Sequence, residues 1–159
     1  MATRKKDVRT RRELEMRYGH LYKKFTLFDE EKCFYCGMLK QTQDHVPALS
    51  WVGAYGSDYF VQNGYKFLLV PCCSECNNWL GSLKKFTLKE RAKHIAYKIG
   101  TKYRKFIIAA EWDDDEISEM SRTFQKILME SEAIRITATR RMDYARNVAR
   151  MLEDGLPLI

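Results

Sequence analysis

Two pairs of cysteines constrain this chain more than any other feature of its sequence. Each pair has two residues between its cysteines, Cys33 with Cys36 and Cys73 with Cys76. This spacing lets both thiolates of a pair reach one ion, and two pairs complete a tetrahedral shell of four sulfurs. Four thiolates select zinc over magnesium or calcium and leave no position for a reacting water. The sequence therefore predicts one structural zinc ion.

A fifth cysteine, Cys72, leaves a second ligand set open. Cys72 and Cys76 would form a C-x-x-x-C pair in which Cys72 replaces Cys73. We prefer Cys73 because its distance from Cys76 along the chain repeats the spacing of the first pair. The competing interpretation, buried free cysteines, is common for single cysteines but leaves the duplicated spacing unexplained.

The composition indicates a globular protein that stays inside a cell. The 159 residues are about one domain in length, and 45% of them are hydrophobic, which is ample for a packed core. No stretch approaches the roughly 18 uninterrupted apolar residues of a membrane span. The basic N-terminus is not followed by the apolar run of a signal peptide. We expect a cytoplasmic location, where reduced cysteines favour metal binding over disulfides.

The net charge of +7 is concentrated on both sides of the cysteine pairs. One basic run lies between Lys84 and Lys105, and acidic residues collect afterwards at 113–116. This distribution favours nucleic acid as a partner, although lysines on a solvated helix face are ordinary. The other basic run consists of Arg4, Lys5, Lys6, Arg9, Arg11, Arg12, Arg17, Lys23 and Lys24.

Helices are predicted after the second cysteine pair. Thr87 is a suitable N-cap, and apolar residues then recur every three or four positions. A second helical stripe runs from Ile117 to Leu152 as one long helix or two shorter ones, with the β-branched stretch 134–139 as the expected break. Such a stripe favours core packing or a homodimer contact through the C-terminal helices. The first apolar face consists of Leu88, Ala92, Ile95, Ala96, Ile99 and Tyr103.

The middle of the chain predicts two strands of a hairpin, 38–46 and 66–70, joined by a long glycine-rich loop. A short helix should follow, capped by Ser74 and ending near Gly81 or Lys85. The aromatic side chains of the loop either stack on exposed bases or, more commonly, pack against the core. They are Trp51, Tyr55, Tyr59, Phe60 and Tyr65.

A second pattern, Asp44-His45-Val46-Pro47, lies between the cysteine pairs, and Asn77 follows directly after Cys76. In this order, residues 33–85 resemble the HNH endonuclease family, in the zinc-containing branch that includes phage junction-resolving endonucleases. The flanking helices are similar to those of phage and bacterial HNH-like proteins.

The resemblance implies an α+β fold, with a small ββα-metal core that carries the four-cysteine zinc site and is flanked by α-helices. We divide the chain accordingly into a basic N-terminal helical segment (1–28), the HNH core (29–86) and a C-terminal helical region (87–159).

The resemblance also implies a chemistry for three residues. His45 would be the general base, since histidine titrates near neutral pH. Asp44 and Asn77 would hold a catalytic Mg²⁺ or Mn²⁺, a hard cation that prefers oxygen ligands. The substrate would be DNA, contacted largely through its phosphate backbone and independently of sequence.

In a rival interpretation, the chain has the zinc site and binds nucleic acid but does not cleave it. Many HNH proteins have an asparagine where this chain has Leu68, and a lysine where it has Trp79, Leu80 and Gly81. These departures favour a catalytically inactive, zinc-stabilised binding or structural protein derived from a nuclease. The Asp44, His45 and Asn77 set favours the enzyme. A further alternative is a dimeric, structure-selective resolvase.

Overall fold

The computed structural model describes residues 2–26, 29–109 and 111–155, with side chains from residue 10 onward. Within these ranges the strands are β1 (Lys23–Lys24), β2 (Thr42–Val46) and β3 (Leu68–Cys72). The helices are α1 (Ala2–Tyr18), α2 (Leu49–Tyr55), α3 (Ser57–Gln62), α4 (Ser74–Leu80), α5 (Leu88–Lys102), α6 (Arg104–Ile107), α7 (Asp114–Ser118) and α8 (Arg122–Glu153). The fold is mixed α+β, as predicted. The side chains of Arg4, Lys5, Lys6 and Arg9, in the first basic run, lie outside the described part.

The sheet has the order β1-β3-β2. β2 pairs antiparallel with β3, with Thr42 opposite Cys72 and His45 opposite Leu69, which confirms the two predicted strands. β1 pairs parallel with the other edge of β3 and was not predicted, because two residues are too few to show an alternating pattern. This strand comes from the N-terminal segment, so that segment contributes to the sheet of the core.

The segment predicted as a glycine-rich loop instead forms helices α2 and α3. Gly56, with φ of 81°, separates them in a backbone conformation that favours glycine. Val52 and Phe60 are fully buried in a small apolar cluster that also includes Tyr18 at the end of α1. Helices α2 and α3 are too short to show a clear hydrophobic periodicity in the sequence. Packing against α1 therefore decides the structure of this segment.

Helix α5 begins as predicted. The Thr87 side chain accepts a hydrogen bond from the Glu90 backbone (3.3 Å), and the Glu90 carboxylate accepts one from the Thr87 backbone (3.1 Å). This reciprocal capping satisfies two backbone donors at the start of the helix. The predicted apolar face is buried at Leu88, Ala92, Ile95 and Ile99.

Helix α8 is continuous through 134–139, so the expected break there is wrong, and the stripe that begins at Ile117 is divided instead between α7 and α8. β-branched residues lower helix propensity by only a few tenths of a kcal/mol each. The second half of α8 packs along α5 and buries Ala138, Met142 and Ala145, which outweighs that penalty. The first half exposes Ile127 and Met129. The homodimer contact stays a prediction.

The larger core cluster contains the cysteines together with residues of β2, β3, α5 and α8. The cysteine-rich segment therefore shares one apolar interior with the C-terminal helices. None of the helices in the described ranges has the length and apolar character that crossing a membrane requires.

Candidate metal centre and active site

The four predicted zinc ligands converge. The sulfurs of Cys33, Cys36, Cys73 and Cys76 all lie within 4.8 Å of one another, and the Cys36 and Cys73 sulfurs are 3.7 Å apart. A tetrahedron with zinc–sulfur bonds of about 2.3 Å has edges of about 3.8 Å. All four side chains are buried. The cluster can therefore hold one metal ion, and its chemistry and dimensions fit a structural zinc.

A tight turn builds the first half of this cluster. The Gly37 N–H donates to the Cys33 carbonyl (2.9 Å), and the Cys33 N–H donates to the Met38 carbonyl (2.6 Å). Gly37 has φ of 73°, which favours glycine. A Cβ at this position would lie 3.1 Å from the Tyr144 ring of α8. Glycine is therefore needed here both for the turn and for the approach of α8.

The start of α4 builds the second half. Cys73, and not the predicted Ser74, is the N-cap residue of α4, and its sulfur accepts a hydrogen bond from the Cys76 N–H (3.5 Å). Backbone bonds of this kind orient metal-binding thiolates. Cys72 is the last residue of β3 and lies outside the group of four sulfurs. The structure therefore groups Cys73, and not Cys72, with Cys33, Cys36 and Cys76.

Glu75 connects the metal centre to the C-terminal helices. Its carboxylate accepts a hydrogen bond from the Tyr103 hydroxyl (2.9 Å) and pairs with Arg141 (2.5 Å) and with Lys102. Burial would raise the pKa of Glu75, but the bonds from Lys102, Arg141 and Tyr103 lower it below its usual value. These contacts fix α4 against α5 and α8.

Asn77 follows Cys76 on α4, and one step of about 100° around the helix turns it out of the metal cluster. It lines a cleft of about 610 Å³ together with His45 and Asp44. Arg11 of α1 lines the same cleft. The Asn77 amide N–H lies within hydrogen-bond distance of the Thr42 hydroxyl (3.4 Å). All three residues predicted for the active site border this cleft, but the Asp44 carboxylate is buried and bonded to Arg91 and Tyr35.

His45 is held by side chains from the N-terminal segment. Its Nε2 lies 3.2 Å and 3.3 Å from the two carboxylate oxygens of Glu15 on α1. The ring of Tyr22 packs edge-on against the imidazole, with 4.7 Å between centroids. The Tyr22 hydroxyl donates to the Pro47 carbonyl (2.6 Å), which fixes that ring against the end of β2. The imidazole is therefore positioned before any substrate binds.

Asp44 points to the other face of β2, because successive side chains on a strand alternate. It is 3% exposed, and its two oxygens accept hydrogen bonds from Arg91 (2.7 Å) and from Tyr35 (2.7 Å). Burial raises the pKa of Asp44, while Arg91 and Tyr35 act in the opposite direction. Arg91 is fully buried on α5. Asp44 and Arg91 thus form a buried ion pair that joins the sheet to α5.

This ion pair bears on the catalytic cation that the family resemblance implies. A divalent ion at Asp44 would lie beside the Arg91 guanidinium, and the two positive charges would repel each other. The Asn77 amide oxygen forms no hydrogen bond among the described residues, so it can accept one. Because Arg91 already pairs with Asp44, however, Asp44 and Asn77 do not form the two-ligand magnesium site that was predicted.

Sequence reasoning missed three residues of this region: Glu15, Tyr35 and Arg91. Arg91 had a usable signal, since it occupies a position on the apolar face of α5 three residues after Leu88. A charged residue on such a face predicts a buried partner of opposite charge. Glu15 had no signal, because nothing in the spacing of the chain connects α1 to β2.

The chain matches no known protein-family profile, no curated protein and no solved structure.

Proposed function

We propose that the chain is an HNH-type endonuclease that hydrolyses DNA phosphodiester bonds, with His45 as the general base. The observation that carries this proposal is that His45 and Asn77 line one open cleft, while the four cysteines that can hold a metal ion converge at the start of α4. Hydrolysis needs a positioned base and polar groups that contact the phosphate, and the cleft holds both.

The Glu15 carboxylate decides which imidazole nitrogen acts. An ionised carboxylate only accepts hydrogen bonds, so the Nε2 atom beside it carries the proton. Nδ1 is then the basic nitrogen. In the proposed reaction, Nδ1 takes a proton from a water, the water oxygen bonds to phosphorus, and the phosphorus–oxygen bond to the leaving sugar breaks. The leaving oxygen takes a proton from solvent. The adjacent carboxylate stabilises the imidazolium that forms.

Two polar groups of the cleft suit the phosphate. Arg11 is exposed and carries a guanidinium that can bind phosphate through two parallel hydrogen bonds. Asn77 of α4 offers an amide to the same cleft. The metal centre contributes by fixing the start of α4, and with it the position of Asn77.

A second candidate function is a zinc-stabilised DNA-binding protein that does not cut. The Asp44–Arg91 ion pair favours it, because that pair occupies the carboxylate that the family uses for its cation. The two candidates agree on DNA binding and on the structural zinc. They differ only in cleavage.

Nicking of supercoiled plasmid separates the two candidates. The purified chain is incubated with plasmid in Mg²⁺, in Mn²⁺ and in neither, beside His45→Ala and a matched control, His20→Ala. We expect nicking by the wild type and by His20→Ala, none by His45→Ala, and equal zinc content in all three. DNA binding without nicking by any of them would support the second candidate. Equal nicking by His45→Ala would refute the proposed base.

A further inference from the structure

Three aromatic rings form a continuous row on α2 and α3, which we call the aromatic shelf: Trp51, Tyr55 and Tyr59. The Trp51 and Tyr55 rings stack with 5.5 Å between centroids and 24° between planes. The Tyr55 and Tyr59 rings follow at 5.0 Å and 42°. Trp51 and Tyr55 are four residues apart on α2 and therefore share one face of the helix.

Core packing explains only part of this row. Trp51 is half-buried and packs against Phe86, with 6.1 Å between ring centroids. Tyr55 and Tyr59, however, are 42% and 40% exposed. The side chains of two neighbouring tyrosines are thus partly open to solvent at the same place.

A lysine lies over the same rings. The Nζ atom of Lys84 is 5.7 Å from the Trp51 ring centroid and 5.6 Å from that of Tyr55. Both distances lie within the range of cation–π attraction. Lys84 makes no ion pair among the described residues, and its side-chain partner is the neutral Tyr55 hydroxyl, so no carboxylate offsets its charge. The shelf therefore combines partly exposed aromatic rings with a positive charge above two of them.

The shelf borders the His45 cleft. The Trp51 indole N–H donates to the Ser82 carbonyl (2.7 Å), and Ser82 lines the cleft. Ser50, the residue before Trp51, lines it as well. A nucleotide on the shelf would be continuous with a phosphate in the cleft.

We propose that the aromatic shelf stacks an unpaired base of the DNA whose phosphate enters the His45 cleft, and that Lys84 contacts the backbone of that nucleotide. Bases within a continuous duplex are stacked on both faces, whereas unpaired bases can stack on aromatic side chains. The positive charge of Lys84 complements the phosphate that every nucleotide carries. The substrate class is thus DNA with a single-stranded or unpaired region. This inference rests on the proposed nuclease function for the role of the cleft.

Binding of a single-stranded oligodeoxynucleotide that contains 2-aminopurine tests the shelf. All variants carry His45→Ala, so cleavage does not interfere, and binding is compared with that of a duplex of the same sequence. Tyr55→Leu removes the ring but keeps an apolar side chain, and Tyr55→Phe keeps the ring. Tyr97→Leu is the matched control, since Tyr97 is an exposed tyrosine on α5 outside the shelf.

We expect 2-aminopurine fluorescence to be quenched on binding, as stacking on an aromatic ring requires. Tyr55→Leu should weaken single-strand binding about fivefold or more. Tyr55→Phe and Tyr97→Leu should bind as the parent does, and duplex binding should stay unchanged in all variants. Unquenched fluorescence would overturn the proposal that the shelf stacks a base. Equal losses of affinity for single strand and duplex in Tyr55→Leu would overturn it as well.

Lys84→Gln provides a second measurement that does not alter the rings. It should reduce the slope of log Kd against log salt concentration by about 0.7, the value for one phosphate contact on a single strand. Lys126→Gln, an exposed lysine on α8, is its matched control. An unchanged slope in Lys84→Gln would remove Lys84 from the proposal. These binding results are separate from plasmid nicking, so the shelf and the nuclease function can fail independently.

Discussion

The metal centre and the His45 cleft lie on the same small sheet but are built in different ways. All four sulfurs of the metal centre come from two short segments, each closed by its own backbone hydrogen bonds. The cleft takes His45 from β2, Asn77 from α4, and Glu15 and Arg11 from α1. Local spacing thus determines the first site, and long-range packing determines the second.

Asp44 shows what this difference teaches. Its neighbour His45 faces the cleft, whereas the Asp44 carboxylate is bonded to Arg91 of α5 and belongs to the scaffold. The Asp44-His45 motif was interpreted as one catalytic unit. Because side chains alternate along a strand, its two residues have different roles: His45 lines the cleft, and Asp44 stabilises the scaffold. Substitutions should separate the scaffold from the cleft by their effect on stability.

Loss of a zinc ligand should have the largest effect. Zinc binding to a structural site contributes about 10–16 kcal/mol, which matches or exceeds a typical folding free energy of about 5–15 kcal/mol. We expect Cys76→Ser, like Cys33→Ser, to abolish the cooperative fold and to lose the one zinc per chain. Circular dichroism and elemental analysis of the purified protein measure both.

Cys72→Ser is the matched control, since Cys72 is equally buried but lies outside the cluster. It should keep one zinc and lose about 1–3 kcal/mol for a buried hydroxyl. Loss of zinc in Cys72→Ser with retention in Cys73→Ser would show that the ligand set is wrong.

Disruption of the Asp44–Arg91 pair should have the next largest effect. Removing one partner of a buried ion pair costs about 3–5 kcal/mol, because the other charge is left without compensation. We expect Asp44→Asn to lower the free energy of unfolding in urea by this amount. Combining it with Arg91→Met should cost less than the sum of the single changes. If Asp44→Asn lost nicking but kept full stability, Asp44 would belong to the cleft after all.

Gly37→Ala should have a smaller effect on the scaffold. The positive φ of position 37 destabilises a non-glycine residue by about 1–2 kcal/mol. The contact of the added Cβ with Tyr144 costs about a further 1–3 kcal/mol through overpacking. Gly64→Ala is the control, since Gly64 has φ of 74° with no atom within 4 Å of an added Cβ. Gly37→Ala should therefore be the less stable of the two in thermal unfolding, and equal stabilities would contradict the contact with α8.

Glu15→Gln should have the smallest effect on stability and a clear effect on the cleft. The Glu15–His45 pair is half exposed on the Glu15 side, so its loss should change the unfolding free energy by less than about 1 kcal/mol. The nicking rate should fall about 10-fold to 100-fold, as for an outer partner that orients a catalytic group. Glu13→Gln, also exposed on α1, should leave the rate unchanged. Equal rates in both variants would mean that Glu15 does not position His45.

The sequence predicted the elements whose signals are local. The strand pair, the helix after Cys73 and the capped start of α5 all follow from short-range patterns of cap, period and spacing. The helices α2 and α3 and strand β1 did not follow, because each is short and depends on a partner distant in the chain. The continuity of α8 was also undecided, since packing on α5 outweighs the propensity of its β-branched residues.

By itself, the sequence identified the four cysteines that converge and can hold a metal ion, because two residues between cysteines let both sulfurs of a pair reach one ion. Only the tertiary structure decided the partners of Asp44 and His45. Those partners, Arg91 and Glu15, lie on helices that meet the sheet through burial of apolar surface, and such burial is non-directional and leaves no fixed spacing in the chain.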